Sequence, residues 1–510
     1  MQVSDTLLVL LAGMKMSSSK VVCVRTATIR GIESVPINVE ASVAGGIPGV
    51  TVVGMPDSAV LEARSRVRCA INACGFAIPR RHITINLSPA DMRKTGSGFD
   101  LPMAVAILVA TGQLSEEILR DNIFVGELTL NGDVSPVRGT IAYASLAHNL
   151  QNNLVISDKS ELAGIHTEHV YAIKSLHDLC MHTKLQRYCQ RGIRNLKISE
   201  RCGTDLEFGD VIDQELAKRA LVLAAIGSHG MLMVGPPGSG KTMLARRFLS
   251  ILPKLAQDEL QEALLIHSVA GESSKLLAQG MGPFRAPHHS ISLGGLIGGG
   301  RPVLPGEVSL AHKGVLFLDE LPEFATNTLQ ALRQPLEDKK VRLVRVDGLY
   351  TFPCDFQLLA AANPCPCGFC GDPDHLCTCT PTRIDTYQSK IGGPLMDRID
   401  IVCDVVRPSS TKVIEGDRGL TSKEMRQLVI SGREYRRWRE EQQFKGDKRA
   451  VFEEGAQRLF ERYARGLSLG GRSIARVSRV ARTVADLEHH ELVTKDDLSE
   501  AVAFRSRILR

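Results

Sequence analysis

Eight consecutive residues, Gly235-Pro236-Pro237-Gly238-Ser239-Gly240-Lys241-Thr242, carry the first chemistry of the chain. They satisfy the phosphate-loop pattern G-x-x-x-x-G-K-[ST] at every fixed position. In such a loop the backbone N–H groups converge on an anion at the start of a helix, where the peptide dipoles also favour negative charge. Lys241 would reach the β- and γ-phosphates of ATP, and the Thr242 hydroxyl would hold Mg²⁺. Met243 opens the following helix and counts with residues 235–242 among the nucleotide contacts. A glycine-rich turn without a ligand does not explain a Lys-Thr pair in that place. Downstream, the apolar run 314–318 ends in Asp319-Glu320. Phosphoryl transfer needs one carboxylate for the metal and one to orient and activate water; Asp319 and Glu320 suit those two tasks.

Three further clusters have chemical character. Five cysteines fall in the order Cys365-x-Cys367-x2-Cys370-x6-Cys377-x-Cys379, with His375 among them. Four thiolates would hold Zn²⁺ tetrahedrally and staple a loop that has no core of its own. The spacing departs from the common C-x2-C knuckle, so reduced thiols and an iron–sulfur cluster stay open as readings. Lys339, Lys340, Arg342 and Arg345 lie in strand-like sequence before Asp347-Gly348, a hairpin signal. There they would contact DNA phosphates, or simply be solvated. His288-His289 has no third ligand at a sensible spacing for a metal, which favours a structural or substrate-contact role.

These groups need elements to place them. Residues 231–234 read as a buried strand before the phosphate loop and 243–249 as a helix after it. Residues 314–318 and 358–362 read as further buried strands, the second ending at Asn363. The long stretch between Lys241 and Asp319 contains 282–290 and the glycine-rich 294–300, which read as an insertion that projects a loop. Before this, strand-like 35–43, 50–53, 83–87, 123–130 and 153–156 alternate with helix-like 59–74 and 102–110, the pattern of a separate α/β domain. After Arg407-Pro408 the sequence is helical in character. There Ile474, Val477, Val480, Ala481, Val484 and Leu487 form one apolar stripe. The expected division is therefore a tail 1–18, an α/β domain 19–184, a linker 185–204, a nucleotide-binding core 205–406 with a cysteine-rich insertion 364–381, and a helical domain 407–510.

At 510 residues, two to four domains are expected. Apolar content of 44% and charged content of 23% suit a soluble globular protein, and a net charge of +6 imposes no global basic field. Residues 6–14 are apolar but too short to span a bilayer, and they lack the positive n-region of a signal peptide. Met14 and Met16 could serve as alternative starts. The expectation is a cytoplasmic protein without membrane contact, whose 13 cysteines are reduced.

The segments Gly49-Val50-Thr51-Val52-Val53-Gly54-Met55-Pro56-Asp57, Asn86-Leu87-Ser88-Pro89-Ala90-Asp91 and Gly98-Phe99-Asp100-Leu101-Pro102 occupy the first part of the chain. Phe284-Arg285-Ala286-Pro287-His288-His289, Asn363-Pro364-Cys365-Pro366-Cys367-Gly368 and Val480-Ala481-Arg482-Thr483-Val484-Ala485-Asp486-Leu487 follow. Taken with the phosphate loop, they resemble the YifB/ComM family of magnesium-chelatase-like AAA+ ATPases, over nearly the whole chain. The resemblance implies an α/β multidomain protein: an N-terminal Lon-protease-like α/β domain, a central P-loop AAA+ α/β/α domain and a C-terminal helical lid. It implies ATP and Mg²⁺ as cofactors and a hexamer of identical chains. From ComM-like members it implies a DNA helicase that promotes branch migration during natural transformation, with single-stranded or branched DNA as partner.

The resemblance also assigns residues. Asn363 would be the sensor-1 residue that helps place the water. Arg398, in Leu395-Met396-Asp397-Arg398-Ile399-Asp400, would be the arginine finger for the neighbouring subunit; a surface pair with Asp397 or Asp400 is the plainer reading. Arg472 would be the sensor-2 residue, with Arg476 and Arg479 as substitutes. Cys365, Cys367, Cys377 and Cys379 would hold zinc, leaving Cys370 spare. Lon-type proteolysis needs a Ser–Lys pair. Asp100 falls at the Ser position and Ile141 near the Lys position, so the N-terminal domain reads as non-proteolytic. Arg64, Arg66, Arg68, Arg80, Arg81, Arg93 and Lys94 would give it local basic surface. Two other functions share the ATPase core: a chelatase-type remodelling subunit, which the fused Lon-like domain argues against, and an ATP-dependent protease, disfavoured by the missing Ser–Lys pair.

Overall fold

The computed structural model describes residues 21–162, 167–180, 185–188, 206–415, 419–442 and 451–505. The tail 1–18 lies outside them. The described chain forms two units, one built on residues 21–188 with 268–271 and 346–348, the other on the remaining described residues from 206 to 505.

The first unit grows from Val21–Arg30, where Val22, Val24 and Ala27 are buried. This strand pairs antiparallel with Glu33–Ala44, from Val21↔Ser42 to Arg30↔Glu33. Together they centre an eight-stranded mixed sheet in the order Gln186–Arg187, Val170–Ile173, Asn153–Ser157, Asn122–Phe124, Val21–Arg30, Glu33–Ala44, His82–Ser88, Gly49–Val53. The helix Asp100–Ala110 is buried from Asp100 to Val109, as its nearly continuous apolar sequence requires. The helix Ser58–Ala73 starts at an Asp57 cap, whose carboxylate accepts the Val60 N–H at 2.9 Å.

Three expectations change here. The strand expected at 123–130 stops at Phe124, because the Gly126 amide and carbonyl turn aside to Gly98 and Leu101. Its remainder, Glu127–Leu128, pairs with Val134–Ser135 instead. Residues 186–187, expected in a linker, are the edge strand of the sheet, paired as Gln186↔Ala172 and Arg187↔Tyr171. Backbone pairing there overrides a polar, basic composition; residues 189–205 lie outside the described ones. Lys94 is not a surface cation: it is fully buried and its amine donates to the Pro89 carbonyl.

The second unit has an all-parallel five-stranded sheet in the order Phe284–Arg285, Val315–Leu318, Gln357–Ala362, Met231–Val234, Ile401–Asp404. Every residue of Met231–Val234 and Val315–Leu318 is buried, as sheets covered on both faces demand. The helices Glu215–Gly227 and Lys241–Arg247 contribute to the core around it. The C-terminal helices include Ser422–Gln442, Glu454–Gly466, Gly471–Leu487 and Lys495–Ala503. The stripe read from the sequence is the packed face of Gly471–Leu487: Val477, Val480, Ala481, Val484 and Leu487 are buried and Ile474 packs beside them. Burying each such Val or Leu contributes about 1.5–3 kcal/mol relative to exposure.

Candidate active site

In a parallel sheet the carboxyl ends of neighbouring strands face one side, and ligands bind outside them. The strand Gln357–Ala362 lies between the phosphate-loop strand and the carboxylate strand, in the registers Val234↔Ala362 and Leu318↔Ala360. Topology thus sets Asn363 between the phosphate loop and Asp319-Glu320. Two glycines of the loop have positive φ, 78° at Gly238 and 92° at Gly240, which a larger residue would resist.

Lys241 is buried, and its ammonium donates to Gly235 O at 2.7 Å, Pro236 O at 2.9 Å and Asn363 Oδ1 at 3.3 Å. Burial lowers its pKa, while Asp319 and Glu320 pull the other way. The Thr242 hydroxyl donates to Asp319 Oδ2 at 2.7 Å, which brings the two expected Mg²⁺ ligands together. The other Asp319 oxygen accepts the Glu320 N–H at 3.0 Å. Glu320 has φ 51°, a left-handed conformation. Such a conformation costs a non-glycine residue about 1–3 kcal/mol and concentrates at working sites.

The Glu320 carboxylate is more than half exposed, and its Oε2 lies 3.5 Å from Nδ1 of His289. His289 is flanked by the ring of His288, centroids 4.0 Å apart, and by the edge of Phe324 at 6.5 Å. Sequence reading left His289 without this neighbour. The adjacent histidines were visible, but nothing in the chain order pairs them with so distant an acid.

Arg398 and Arg472 find their partners elsewhere. Arg398 pairs with Glu337, not with Asp397 or Asp400 as its plainer reading had it. Arg472 donates to Asp397 Oδ2 at 3.0 Å. The two possible substitutes join the same group: Arg476 reaches Asp397 at 3.4 Å and Arg479 reaches Asp400 at 3.0 Å. Burial, then the positive charges of Arg476, Arg472, Arg333 and Arg479, lower the pKa of Arg398. The structure therefore gathers the two predicted arginines with each other rather than with Lys241 of their own chain.

The predicted hairpin forms from Lys340–Arg345 and Gly348–Pro353. Lys340, Arg342 and Arg345 are exposed on it, and Val344 and Val346 are exposed as well. Lys339 precedes the first strand and pairs with Asp355 at 2.8 Å. Arg345 lies against Gly299, in the glycine-rich stretch of the insertion.

The sulfurs of Cys365, Cys367, Cys377 and Cys379 all lie within 4.8 Å of one another. Cys365 and Cys367 are 3.3 Å apart, Cys365 and Cys377 3.7 Å, and Cys367 and Cys377 3.6 Å. A tetrahedron with Zn–S bonds of about 2.3 Å has edges of about 3.8 Å, so the four thiolates fit the ion. The amides of Phe369 and Thr378 pull the Cys367 thiol down to about 5. Cys370 offers its backbone N–H to Cys365 Sγ at 3.3 Å. His375 is turned to Arg407, which it meets at 2.8 Å, and stacks on Phe369 with centroids 5.0 Å apart.

Comparison with known proteins follows the same division. Residues 39–160 match the family described as subunit ChlI of Mg-chelatase. Residues 207–413 match magnesium chelatase, subunit ChlI, and residues 419–505 match its C-terminal family. The chain is 38% identical over 494 residues to the uncharacterized protein YifB of Salmonella typhimurium, covering 95% of this chain and 96% of that one. It is 36% identical over 498 residues to competence protein ComM of Haemophilus influenzae, covering 94% and 96%. It is 28% identical over 204 residues to Lon protease 2 of Bacillus subtilis, covering 34% and 36%. With a phosphate loop, the Asp319-Glu320 pair beside it and full-length relatives of this kind, the chain belongs to the magnesium-chelatase ChlI family of AAA ATPases, in the branch of YifB and ComM.

Proposed function

We propose that the chain is an ATP-driven motor on DNA, a ring helicase that promotes branch migration in recombination or natural transformation. The observation that carries the ring is the separation of cations: Lys241 faces its own phosphate loop, while Arg398 and Arg472 gather with other partners. A second chain that presents this arginine cluster to the phosphates would complete the site, and a guanidinium forks onto phosphate oxygens. Bound Mg²⁺ would neutralise phosphate charge; Thr242 and Asp319 would hold it. Lys241 binds the β- and γ-phosphates, Glu320 orients the attacking water and takes its proton, and Asn363 fixes Lys241 and the water. The exposed Lys340, Arg342 and Arg345 support contact with a DNA backbone inside such a ring. The name of the Haemophilus relative supports the link to competence. Among the described residues no helix is long and apolar enough to cross a membrane.

The test is the ATPase rate with and without single-stranded and forked DNA, beside Lys241→Ala and Glu320→Gln, followed by strand displacement. DNA stimulation that both variants lose is the expected result. A rate indifferent to DNA favours the second reading, a chelatase-type remodelling subunit, which the family of all three matched segments supports. Proteolysis has no such support: Asp100 is paired with Arg66 where a nucleophilic Ser would stand, and Ile141 is a buried apolar residue.

A further inference from the structure

We infer that the four-cysteine loop is a brace on the phosphate loop, so that zinc held by Cys365, Cys367, Cys377 and Cys379 sets the affinity of the chain for nucleotide. The inference rests on the reading of residues 235–242 as a nucleotide site and adds what holds that site in shape.

Two contacts join the loops. Gly368, next to Cys367, has φ 88°, and a Cβ there would come within 2.5 Å of Pro237 Cδ. The backbone of the cysteine loop therefore lies directly on the ring of a phosphate-loop residue. The second contact is Arg407, just after the strand Ile401–Asp404. Its Nε and Nη2 donate to the Pro237 carbonyl at 3.4 and 3.3 Å. The same guanidinium meets His375 Nδ1 at 2.8 Å, stands 3.7 Å from the buried carboxylate of Asp372, and lies 5.5 Å over the ring of Phe369. Phe369, Asp372 and His375 all fall between Cys367 and Cys377. Arg407 thus ties the span between two ligands to the carbonyl of Pro237.

The loop has little else to hold it. No helix or strand is described between Ala362 and Pro381, and Leu376 is 90% exposed. A segment without a core takes its shape from the ion, and binding energy then becomes folding energy. The ligand Cys365 also lies two positions after Asn363, which accepts from Lys241. Release of the thiolates would free Gly368 and Arg407 from Pro237. The amides that follow Pro237 would then lose their aim at phosphate, and a displacement of about 1 Å is enough to cost a positioned site much of its effect.

The test reads nucleotide affinity and zinc content rather than turnover. The full chain is titrated with a fluorescent ATP analogue as purified, after zinc removal with a chelator, and after zinc is added back. Arg407→Ala and Gly368→Ala are measured alongside, with zinc per chain and thermal unfolding for each. The expected result is nucleotide affinity weaker by about tenfold or more without zinc, restored by zinc but not by Mg²⁺. Arg407→Ala and Gly368→Ala should weaken binding severalfold with zinc content unchanged, which separates the brace from general unfolding. Zinc-free chain, or both variants, that bind nucleotide like the starting protein would overturn the inference. Lys241→Ala keeps the two readings apart. If it abolishes binding while zinc removal does nothing, the nucleotide site stands and the brace falls; if the unaltered chain binds no nucleotide, the site itself fails.

Discussion

Asp319 follows the strand Val315–Leu318 and Asp100 opens the helix Asp100–Ala110, and their neighbours give them opposite fates. Asp319 meets a hydroxyl and a backbone amide, Thr242 Oγ1 at 2.7 Å and Glu320 N at 3.0 Å. Neither of these hydrogen-bonding neighbours is a cation, so no ion pair like that of Asp100 occupies the carboxylate. Asp100 is fully buried and forked by Arg66, with Nε to Oδ2 at 2.7 Å and Nη2 to Oδ1 at 3.0 Å. It also accepts the Leu128 N–H at 3.2 Å. Its charge is answered within the fold and is not available to a ligand. The same residue type builds a reaction centre in one unit and a structural joint in the other, and the partner decides which.

The largest expected effect tests the first half of that contrast. Asp319→Asn keeps the shape and removes the charge that would hold Mg²⁺. ATP hydrolysis should fall by about 10²–10⁴-fold, the range for groups that act directly in proton or phosphoryl transfer. Thermal unfolding should move little, because no cation loses its partner. A large stability loss with hydrolysis retained would assign Asp319 the structural role instead.

The second half predicts the reverse. Arg66→Ala should destabilise the first unit by about 1.5–3 kcal/mol, since it removes the charge-assisted hydrogen bonds to the buried Asp100 carboxylate. Proteolysis or hydrogen exchange within residues 21–188 is the measurement, and ATP hydrolysis per folded chain should hold. pH sharpens it. Burial, partly opposed by Arg66, raises the pKa of Asp100 above the ordinary carboxylate value. The folded state therefore holds the proton more tightly than the unfolded one. Its contribution to stability is present in acid, and it fades as pH rises from the ordinary value through the raised one.

Asp400 in the second unit has the opposite sign. Burial pushes it up, but the His229 hydrogen bond and charge, with Arg479 and Arg476, win and lower its pKa. Its contribution is full above the ordinary carboxylate value and is lost as pH falls through the lowered one. Acid should thus loosen the second unit, through Asp400, before Asp100 costs the first unit anything. Hydrogen exchange that opened residues 21–188 first on acidification would contradict both directions.

What was legible in the sequence follows the same line between a residue and its partner. The phosphate loop and Asp319-Glu320 were readable because strand, loop and helix are continuous in the chain. The apolar stripe of Gly471–Leu487 was readable because helical period fixes which side chains share a face. Period does not say which neighbour that face meets, so the Asp397 partner of Arg472 was not readable from it. His289 beside Glu320 needed a contact between distant segments. The break in 123–130 needed the backbone bonds of Gly126 to Gly98 and Leu101, and the strand Gln186–Arg187 needed its partner Val170–Ile173. Each of these is a tertiary pairing without a local pattern.

The smallest effect repeats the contrast on the hairpin. Lys339 is paired with Asp355 at 2.8 Å, whereas Lys340 and Arg342 stand exposed on the strand that follows. A cation already held by a carboxylate releases no counterion from DNA unless it first leaves its partner. An exposed one contributes directly, and each phosphate contact on a single strand steepens the dependence of log affinity on log salt by about 0.7. Lys340→Ala and Arg342→Ala should each flatten that slope by about one contact and weaken binding to all sequences alike. Lys339→Ala should leave the slope nearly unchanged. Single-stranded DNA titrated at several salt concentrations reads all three. Equal slopes for the three variants would mean that the Asp355 pair opens on binding, and the distinction between answered and unanswered charge would then fail at this surface.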